Sequence, residues 1–177
     1  MTEITYHLVM NRPGHSVIEI PLGMEALRSL ANVTADDPIN TELIDSLTMH
    51  PAASIRAAVA SFQCIKPSAV EQLERDAAVD VQRQLVQSKA FQQIVTTERL
   101  CELAARDVEL ACRIADDLSY FTEIDQDAVT DYLSKHPDPS VRIAVARCSS
   151  TPRRIRRLLT RDVDADVAQT ARDSVRQ

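Results

Sequence analysis

The sequence predicts an all-α fold: a right-handed α-solenoid of about five short two-helix repeats, capped by an N-terminal β-hairpin. Residues 136–146, HPDPSVRIAVA, repeat the pattern of residues 50–60, HPAASIRAAVA, after 86 residues. A pattern that recurs within one chain is typical of repeat proteins. Glycine occurs 2 times in 177 residues, tryptophan is absent and aromatic residues are 3%. Sheet-rich folds need glycine in turns and aromatic or β-branched residues in strands, so this composition favours helices.

Residues 1–38 are predicted to form the N-terminal cap. Residues 4–10 and 16–22 alternate in polarity as strands do, and Pro13-Gly14 between them is a turn signal. An isolated hairpin is marginal in water, so we expect it to lie against the helices, and the alternative is a flexible arm. Residues 24–32 are predicted as a short helix and residues 34–40 as a polar loop.

Residues 39–177 are predicted to form the repeat array, which makes a single domain with the cap. Apolar residues superpose after shifts of 26, 29, 31 and 26 residues, which gives units near 39–65, 66–94, 95–123, 124–150 and 151–177. Each unit has two short helices joined by a turn rich in Asp, His or Pro. Helices of this length are marginal alone, so stacking on neighbouring units must bury their apolar faces.

The polar residues of the turns are predicted to be structural. His50 and His136 precede proline at equivalent repeat positions, which favours a role in the turn over catalysis. The four cysteines form no CxxC pair and have no histidine at metal-ligand spacing, so they are predicted to be small buried thiols: Cys64, Cys101, Cys112 and Cys148. The predicted N-caps are Thr41, Ser68, Thr97 and Thr151, with Pro67 and Pro152 in first turns.

The fourth unit resembles a known family. PDPSVR at residues 137–142, followed by Val145-Ala146, Thr151-Pro152 and Leu158-Leu159, looks like the leucine-rich-repeat variant proteins, which are related in style to HEAT and armadillo arrays. HEAT units run to about 40 residues, so a spacing of 26 residues favours the variant class. Some variant-repeat proteins carry an iron–sulfur cluster on N-terminal cysteines. No cysteine precedes Cys64 here, so we expect no cofactor.

Charge is distributed unevenly along this chain of formal net charge −6. Residues 101–138 contain ten acidic residues, whereas residues 140–161 contain seven arginines and no acid. One interpretation is a patch for an anionic partner. The alternative is pairing between repeats, since the shift of 26 residues places Arg153 on Asp127 and Arg157 on Asp131. That register predicts charged groups within about 4 Å, and it leaves three arginines for a partner: Arg154, Arg156 and Arg161.

Arg56 and Arg142 occupy the same position in the second helix of their units. In HEAT-like proteins such an arginine commonly pairs with an acid at the helix start. Asp138 lies four residues before Arg142, which predicts a local pair, whereas Arg56 has Ala52 there and is predicted to be free for a partner. With Arg83 and Arg113, these arginines are predicted to line the face formed by the second helices.

The function predicted from the sequence is that of a non-enzymatic, cytoplasmic interaction module or adaptor that binds a protein or peptide. No GxSxG, P-loop, HExxH or paired Cys–His arrangement occurs, although a HEAT-like fold alone does not exclude an enzyme. The start of the sequence does not resemble a signal peptide, and no apolar run reaches membrane-spanning length. The predicted partner-binding residues are Arg56, Arg83, Arg113, Arg142, Arg154, Arg156 and Arg161.

The alternative function is a nucleic-acid-associated HEAT-like protein that uses the C-terminal arginines. The chain is acidic overall, and no aromatic residue lies among those arginines for base stacking. Both features disfavour nucleic acid as the partner. No metal site is predicted.

Overall fold

The structure, a computed structural model, describes residues 6–10, 18–23, 25–26, 29, 41–62 and 65–176. These residues form eleven α-helices, one 3-10 helix and a two-stranded sheet, so the prediction of a mostly helical protein is confirmed. The predicted helix at 24–32 and loop at 34–40 lie largely outside the described residues. Within the described ranges, no helix combines the length and apolar character needed to cross a bilayer.

The predicted N-terminal hairpin is present. Strand β1 (Tyr6–Met10) pairs antiparallel with β2 (Ile18–Leu22), and Tyr6 lies opposite Leu22. The predicted Pro13-Gly14 turn lies outside the described residues. Alternating polarity places successive side chains on opposite faces of a strand, which is why this short segment could be recognised from sequence.

The hairpin packs on the first helix pair. The Tyr6 and His50 rings lie with centroids 4.8 Å apart, and Tyr6 and Leu22 contact the apolar core. Burial lowers the pKa of His50, which favours the neutral ring whose Nδ1 accepts the N–H of Ala52 at 3.0 Å. The hairpin and the first turn therefore share one contact, in which His50 has the structural role predicted for it.

The helices follow in pairs that fall within the predicted unit bounds. They are α1 (Thr41–Thr48), α2 (Ala53–Ala60), α3 (Pro67–Glu74), α4 (Val79–Val86), α5 (Lys89–Gln92), α6 (Thr97–Ala104), α7 (Val108–Asp116), α8 (Gln126–Ser134), α9 (Pro139–Arg147), α10 (Arg153–Leu159) and α11 (Ala165–Arg176). Prolines and side-chain caps mark several of the breaks between them, for example Pro67 at the start of α3 and Asp107 before α7.

The helices pack in two rows. In the second-helix row, α2 contacts α4, α4 contacts α7, α7 contacts α9 and α9 contacts α11. In the first-helix row, α1 contacts α3, α6 contacts α8 and α8 contacts α10. The apolar residues superposed by the sequence shifts are all fully buried along these rows: Ile55, Val81, Leu110, Val141 and Val167. Each pair therefore buries its apolar faces against its neighbours, as short helices require.

Two short inserts accompany the longer spacings in the middle of the chain. Helix α5 follows α4 and packs on both α3 and α4, and a 3-10 helix, Leu118–Tyr120, follows α7. Phe91 of α5 and Phe121 meet edge to face with ring centroids 6.4 Å apart, and both are buried. Edge-to-face contact is a favoured geometry for aromatic pairs, so the inserts add to the core.

Several predicted N-caps are wrong. Thr97 is the first residue of α6, and its neighbour Thr96 is the cap that accepts the N–H of Arg99. Ser68 lies inside α3, where Pro67 occupies the first turn as predicted. Thr151 is buried and donates to the carbonyl of Val145 at 2.7 Å instead of capping α10. Pro152 takes the cap position of α10, and Thr41 is the first residue of α1.

Candidate interaction surface

Arg142 joins two successive repeat units. Its Nε and Nη2 donate to the two carboxylate oxygens of Asp162 at 2.8 and 2.9 Å. Its Nη1 donates to the carbonyls of His136 and Pro137 at 2.7 and 3.0 Å. The arginine side chain is 11% exposed and the aspartate 8%. One guanidinium therefore holds the turn of its own unit and the turn of the next unit, with the forked geometry in which arginine binds carboxylates best.

Arg56 makes the same set of contacts in the first unit. It binds both carboxylate oxygens of Asp76, and its Nη1 donates to the carbonyls of His50 and Pro51 at 2.6 and 3.0 Å. Asp76 also accepts the N–H of Ala78 at 2.8 Å. We call Arg56 and Arg142 the seam arginines, because each bridges the seam between two units.

These contacts correct two sequence predictions. Arg142 pairs with Asp162 and not with Asp138, whose side chain instead caps α9 by accepting the N–H of Ser140 at 2.8 Å. Arg56 is not free, because Asp76 and two carbonyls occupy its guanidinium. In both cases the long side chain reaches across the seam, where the next turn presents a carboxylate 20 residues further on.

The seam arginines change the titration of their partners. The hydrogen bond from Arg56 lowers the pKa of Asp76, and the hydrogen bond from Arg142 lowers the pKa of Asp162. The carboxylate form of each aspartate is favoured because a cation and N–H donors surround it. Both ion pairs are therefore part of the fold at neutral pH.

Other seams in the middle of the chain use different pairs. Arg83 is surrounded by three carboxylates, at 2.9 Å from Asp107, 3.0 Å from Glu109 and 3.1 Å from Asp80. Its charge is more than compensated within the chain. At the position equivalent to the seam arginines, Gln82 donates to the carbonyl of Asp76 at 2.9 Å, so it retains the contact to its own turn without a charge.

Arg113 lies in acidic surroundings. Its nearest carboxylate in the described residues is Glu109 at 3.8 Å, and it lines a shallow hollow with Glu109, Asp116 and Asp117. Burial raises the pKa of Asp117, with Asp116 as a secondary cause. This surface carries several carboxylates around one arginine, which does not suit an acidic partner. A role for Arg83 and Arg113 in binding a partner remains a prediction from the sequence.

The arginines of α10 do not pair as the sequence register predicts. Arg154 contacts Asp127 at 3.2 Å and Asp131 at 3.9 Å. Neither Arg153 nor Arg157 lies within 4.0 Å of a carboxylate in the described part of the chain. Asp127 and Asp131 therefore pair across the seam as predicted, but their arginine is Arg154, which the sequence register leaves for a partner.

The error has a geometric cause. Val129 and Ile155 are equivalent buried positions of α8 and α10, so the register of 26 residues holds for the core. Equivalent residues on two parallel, translated helices point in the same direction and do not face each other. The next residue, Arg154, is turned by about 100° from Arg153, and it is the one that reaches Asp127.

The same geometry separates two sides of α10. Arg154 is on the side that faces α8. Arg153 and Arg157 of α10 are equivalent in position to Asp127 and Asp131 of α8. On α8, those two aspartates form ion pairs with Arg154 of the following unit. We call the three arginines of α10 that border the end of α11, Arg153, Arg156 and Arg157, the arginine flank. It is basic where the corresponding side of α8 is acidic.

Arg156 and Arg161 differ in their surroundings. Arg156 donates to the carbonyls of Ser149 at 2.5 Å and Ser174 at 3.2 Å, and its Nε is buried without an acceptor. It therefore ties the loop before α10 to the end of α11 but meets no carboxylate among the described residues. Arg161 lies beyond the end of α10, so the predicted stripe of Arg153, Arg157 and Arg161 does not run along one helix.

The three cysteines that the structure describes are less buried than predicted. Cys101, Cys112 and Cys148 are free and half-buried, and Cys64 lies outside the described residues. Burial raises the pKa of Cys101 and Cys112, which favours the unreactive thiol. In the ranges that the structure describes, no group of three or more His, Cys, Asp or Glu residues could hold a metal ion.

Comparison of the chain with protein-family models, curated proteins and solved structures finds no match. The resemblance to leucine-rich-repeat variant proteins therefore remains a prediction from the residues of the fourth unit.

Proposed function

We propose that this chain is a non-enzymatic interaction module, and that its partner is a protein or peptide with an acidic segment. The observation that carries the proposal is the arginine flank. Arg153 and Arg157 meet no carboxylate within 4.0 Å in the described residues, whereas Arg56, Arg83 and Arg142 each have one or more. Arginines without a carboxylate partner on an otherwise acidic chain create a local positive field that favours an acidic surface.

The form of the repeats supports this proposal. We propose that the two helix rows are a right-handed α-solenoid of five two-helix repeats, of the leucine-rich-repeat variant type, acting as a cytoplasmic scaffold. On α8 the side equivalent to the arginine flank carries Asp127 and Asp131, and both contact Arg154 of the next unit. On α10 the equivalent residues are Arg153 and Arg157, so an acidic helix or loop of a partner would take the place that Arg154 has beside α8.

Apolar surface lies near these arginines. Leu158 of α10 is 67% exposed and Val163, in the following turn, is 99% exposed. Protein interfaces typically combine an apolar centre with charged residues at the rim, and arginine is enriched in them. This combination favours a protein partner over a purely electrostatic one.

Affinity capture with three forms of the full chain tests the proposal. The forms are the wild type, R153Q/R157Q on the arginine flank, and R147Q/R154Q as a control with the same change in charge. Arg147 and Arg154 pair with Asp116 and Asp127, so the control removes arginines that already have partners. We expect a stoichiometric protein that is retained by the wild type and the control and is lost with R153Q/R157Q.

Two results would contradict the proposal. One is capture that is equally strong with R153Q/R157Q, which would place the interface elsewhere. The other is binding of nucleic acid in gel-shift titrations that weakens steeply as salt rises, because phosphate contacts release counterions. That result would support the nucleic-acid alternative.

A further inference from the structure

The arginine flank borders a small hollow between α10 and the end of α11. Its lining is Arg153, Arg156, Arg157, Ser174 and Val175, and its volume is about 140 Å³. Three of the lining residues are arginines, and none of the lining residues that the structure describes is an acid. The last turn of α11 closes one side, since Arg156 is bonded to the carbonyl of Ser174.

The hollow holds positive charge that the described residues leave uncompensated. Arg156 meets only carbonyl groups, and its buried Nε lacks an acceptor. Like charges held close together in a partly buried site repel one another, and a bound anion removes this repulsion. By contrast, Arg56, Arg83 and Arg142 each lie against at least one carboxylate.

The size of the hollow restricts the ligand. Sites for whole small molecules and cofactors measure about 300–1,000 Å³. At about 140 Å³ this hollow has room for a single anionic group with some water. Arginine binds phosphate and carboxylate through pairs of parallel N–H···O bonds, and clusters of arginine are a recurrent device for recognising phosphorylated or acidic motifs.

We propose that the hollow is a binding site for one oxyanion group, a phosphoryl or carboxylate group carried by the partner. Arg153 and Arg157 are exposed and contact the oxyanion directly, and Arg156 adds a fixed positive charge behind them. The inference deepens the proposed function at the same surface. Binding of an inorganic anion requires no protein partner, however, so its failure and the failure of the proposed function can be told apart.

Thermal unfolding of the full chain with inorganic phosphate tests the site. Wild type, R153Q/R157Q and the control R147Q/R154Q are titrated with phosphate, acetate or chloride at matched ionic strength. A ligand that binds the folded state raises the melting temperature as its concentration exceeds the dissociation constant. We expect phosphate to stabilise the wild type and the control more than chloride does, and R153Q/R157Q to need at least tenfold more phosphate for the same shift.

The comparison between variants separates specific binding from general salt effects. Phosphate also stabilises proteins by exclusion from their surface, and that effect acts equally on all three forms. A greater shift with phosphate than with acetate identifies a phosphoryl group as the ligand, a greater shift with acetate identifies a carboxylate, and equal shifts show that the site accepts either oxyanion. A phosphate shift that is the same in R153Q/R157Q as in the wild type, or no shift beyond chloride in either, would overturn the proposal.

Discussion

Arg56 and Arg142 have the same partners in kind: two carbonyls of their own turn and one aspartate of the next. Their aspartates, Asp76 and Asp162, are each held by a backbone N–H as well, from Ala78 and Asp164. Removing one member of such a buried pair leaves a charge without a partner, which costs more than the pair itself contributes. The seam arginines are therefore expected to be essential to stability.

A double-mutant cycle measures this expectation. Arg142→Ala should lower the free energy of unfolding by about 3 kcal/mol, since it leaves the Asp162 carboxylate buried and unpaired. The exposed pair of Arg154 and Asp127 serves as the control, and its coupling should be at most about 1 kcal/mol. Urea denaturation of each single and double variant gives the two coupling energies. Equal coupling in the two cycles would contradict the structural role of Arg142.

Acid should weaken the same contacts. The pKa of Asp162 is lower in the folded protein than in the unfolded chain, mainly because Arg142 donates to it. The unfolded chain therefore binds more protons as pH falls below about 4. The contribution of Asp162 is complete above its unfolded pKa and is lost as pH falls through its folded pKa.

Asp162→Asn should thus lower stability at pH 7 and flatten the loss of stability between about pH 5 and 2. Urea denaturation across this range is the measurement, with Asp173→Asn as the control because Asp173 lies at the surface. A variant D162N that loses stability with acid as steeply as the wild type would show that another carboxylate dominates.

At the scale of elements, the sequence predicts most of the buried core, but it does not predict which charged residues pair between helices. The apolar shifts placed Val129 with Ile155 correctly, because buried side chains repeat with the helix pair. An ion pair between two helices depends on which side of its helix each charged residue occupies. A register derived from buried residues does not specify that side. For this reason the register predicts a pair between Arg153 and Asp127, whereas Arg154 is the residue that contacts Asp127.

The Arg142–Asp162 pair did leave a signal in the sequence. Arg and Asp stand 20 residues apart at Arg56 and Asp76 and again at Arg142 and Asp162. A search limited to acids in the same helix misses these pairs, because the arginine and the aspartate belong to successive units. Repeated spacing of opposite charges between units is therefore the more informative pattern in short helical repeats.

The hairpin is the element whose removal has the clearest predicted effect. Tyr6 stacks on His50 and, with Leu22, contacts the core. Tyr6→Ala should lower the melting temperature, and deletion of residues 1–38 should expose apolar surface on the first helix pair and promote association. Light scattering after size-exclusion chromatography checks this. A truncated chain that remains monomeric with an unchanged melting temperature would show that the hairpin does not act as a cap.

At the scale of the whole molecule, two sets of arginines differ in their partners. Each seam between successive units is crossed by at least one ion pair, for example Arg56–Asp76, Arg83–Asp107, Arg147–Asp116 and Arg142–Asp162. The arginine flank of α10 lacks such a carboxylate in the described residues, although the chain carries a net charge of −6. The arginine flank thus places three positive charges on α10, and their field favours an acidic surface.

The most direct test compares the free energies of unfolding of R153Q/R157Q and Arg142→Gln, both measured by urea denaturation. It asks whether the arginine flank, unlike Arg142, is dispensable for stability. Loss of Arg142 breaks a buried pair, whereas loss of Arg153 and Arg157 removes exposed like charges that repel each other. We predict that Arg142→Gln costs about 3 kcal/mol and that R153Q/R157Q leaves stability unchanged within about 0.5 kcal/mol or raises it. A loss of stability in R153Q/R157Q as large as that in Arg142→Gln would contradict the account, because it would make the arginine flank part of the fold.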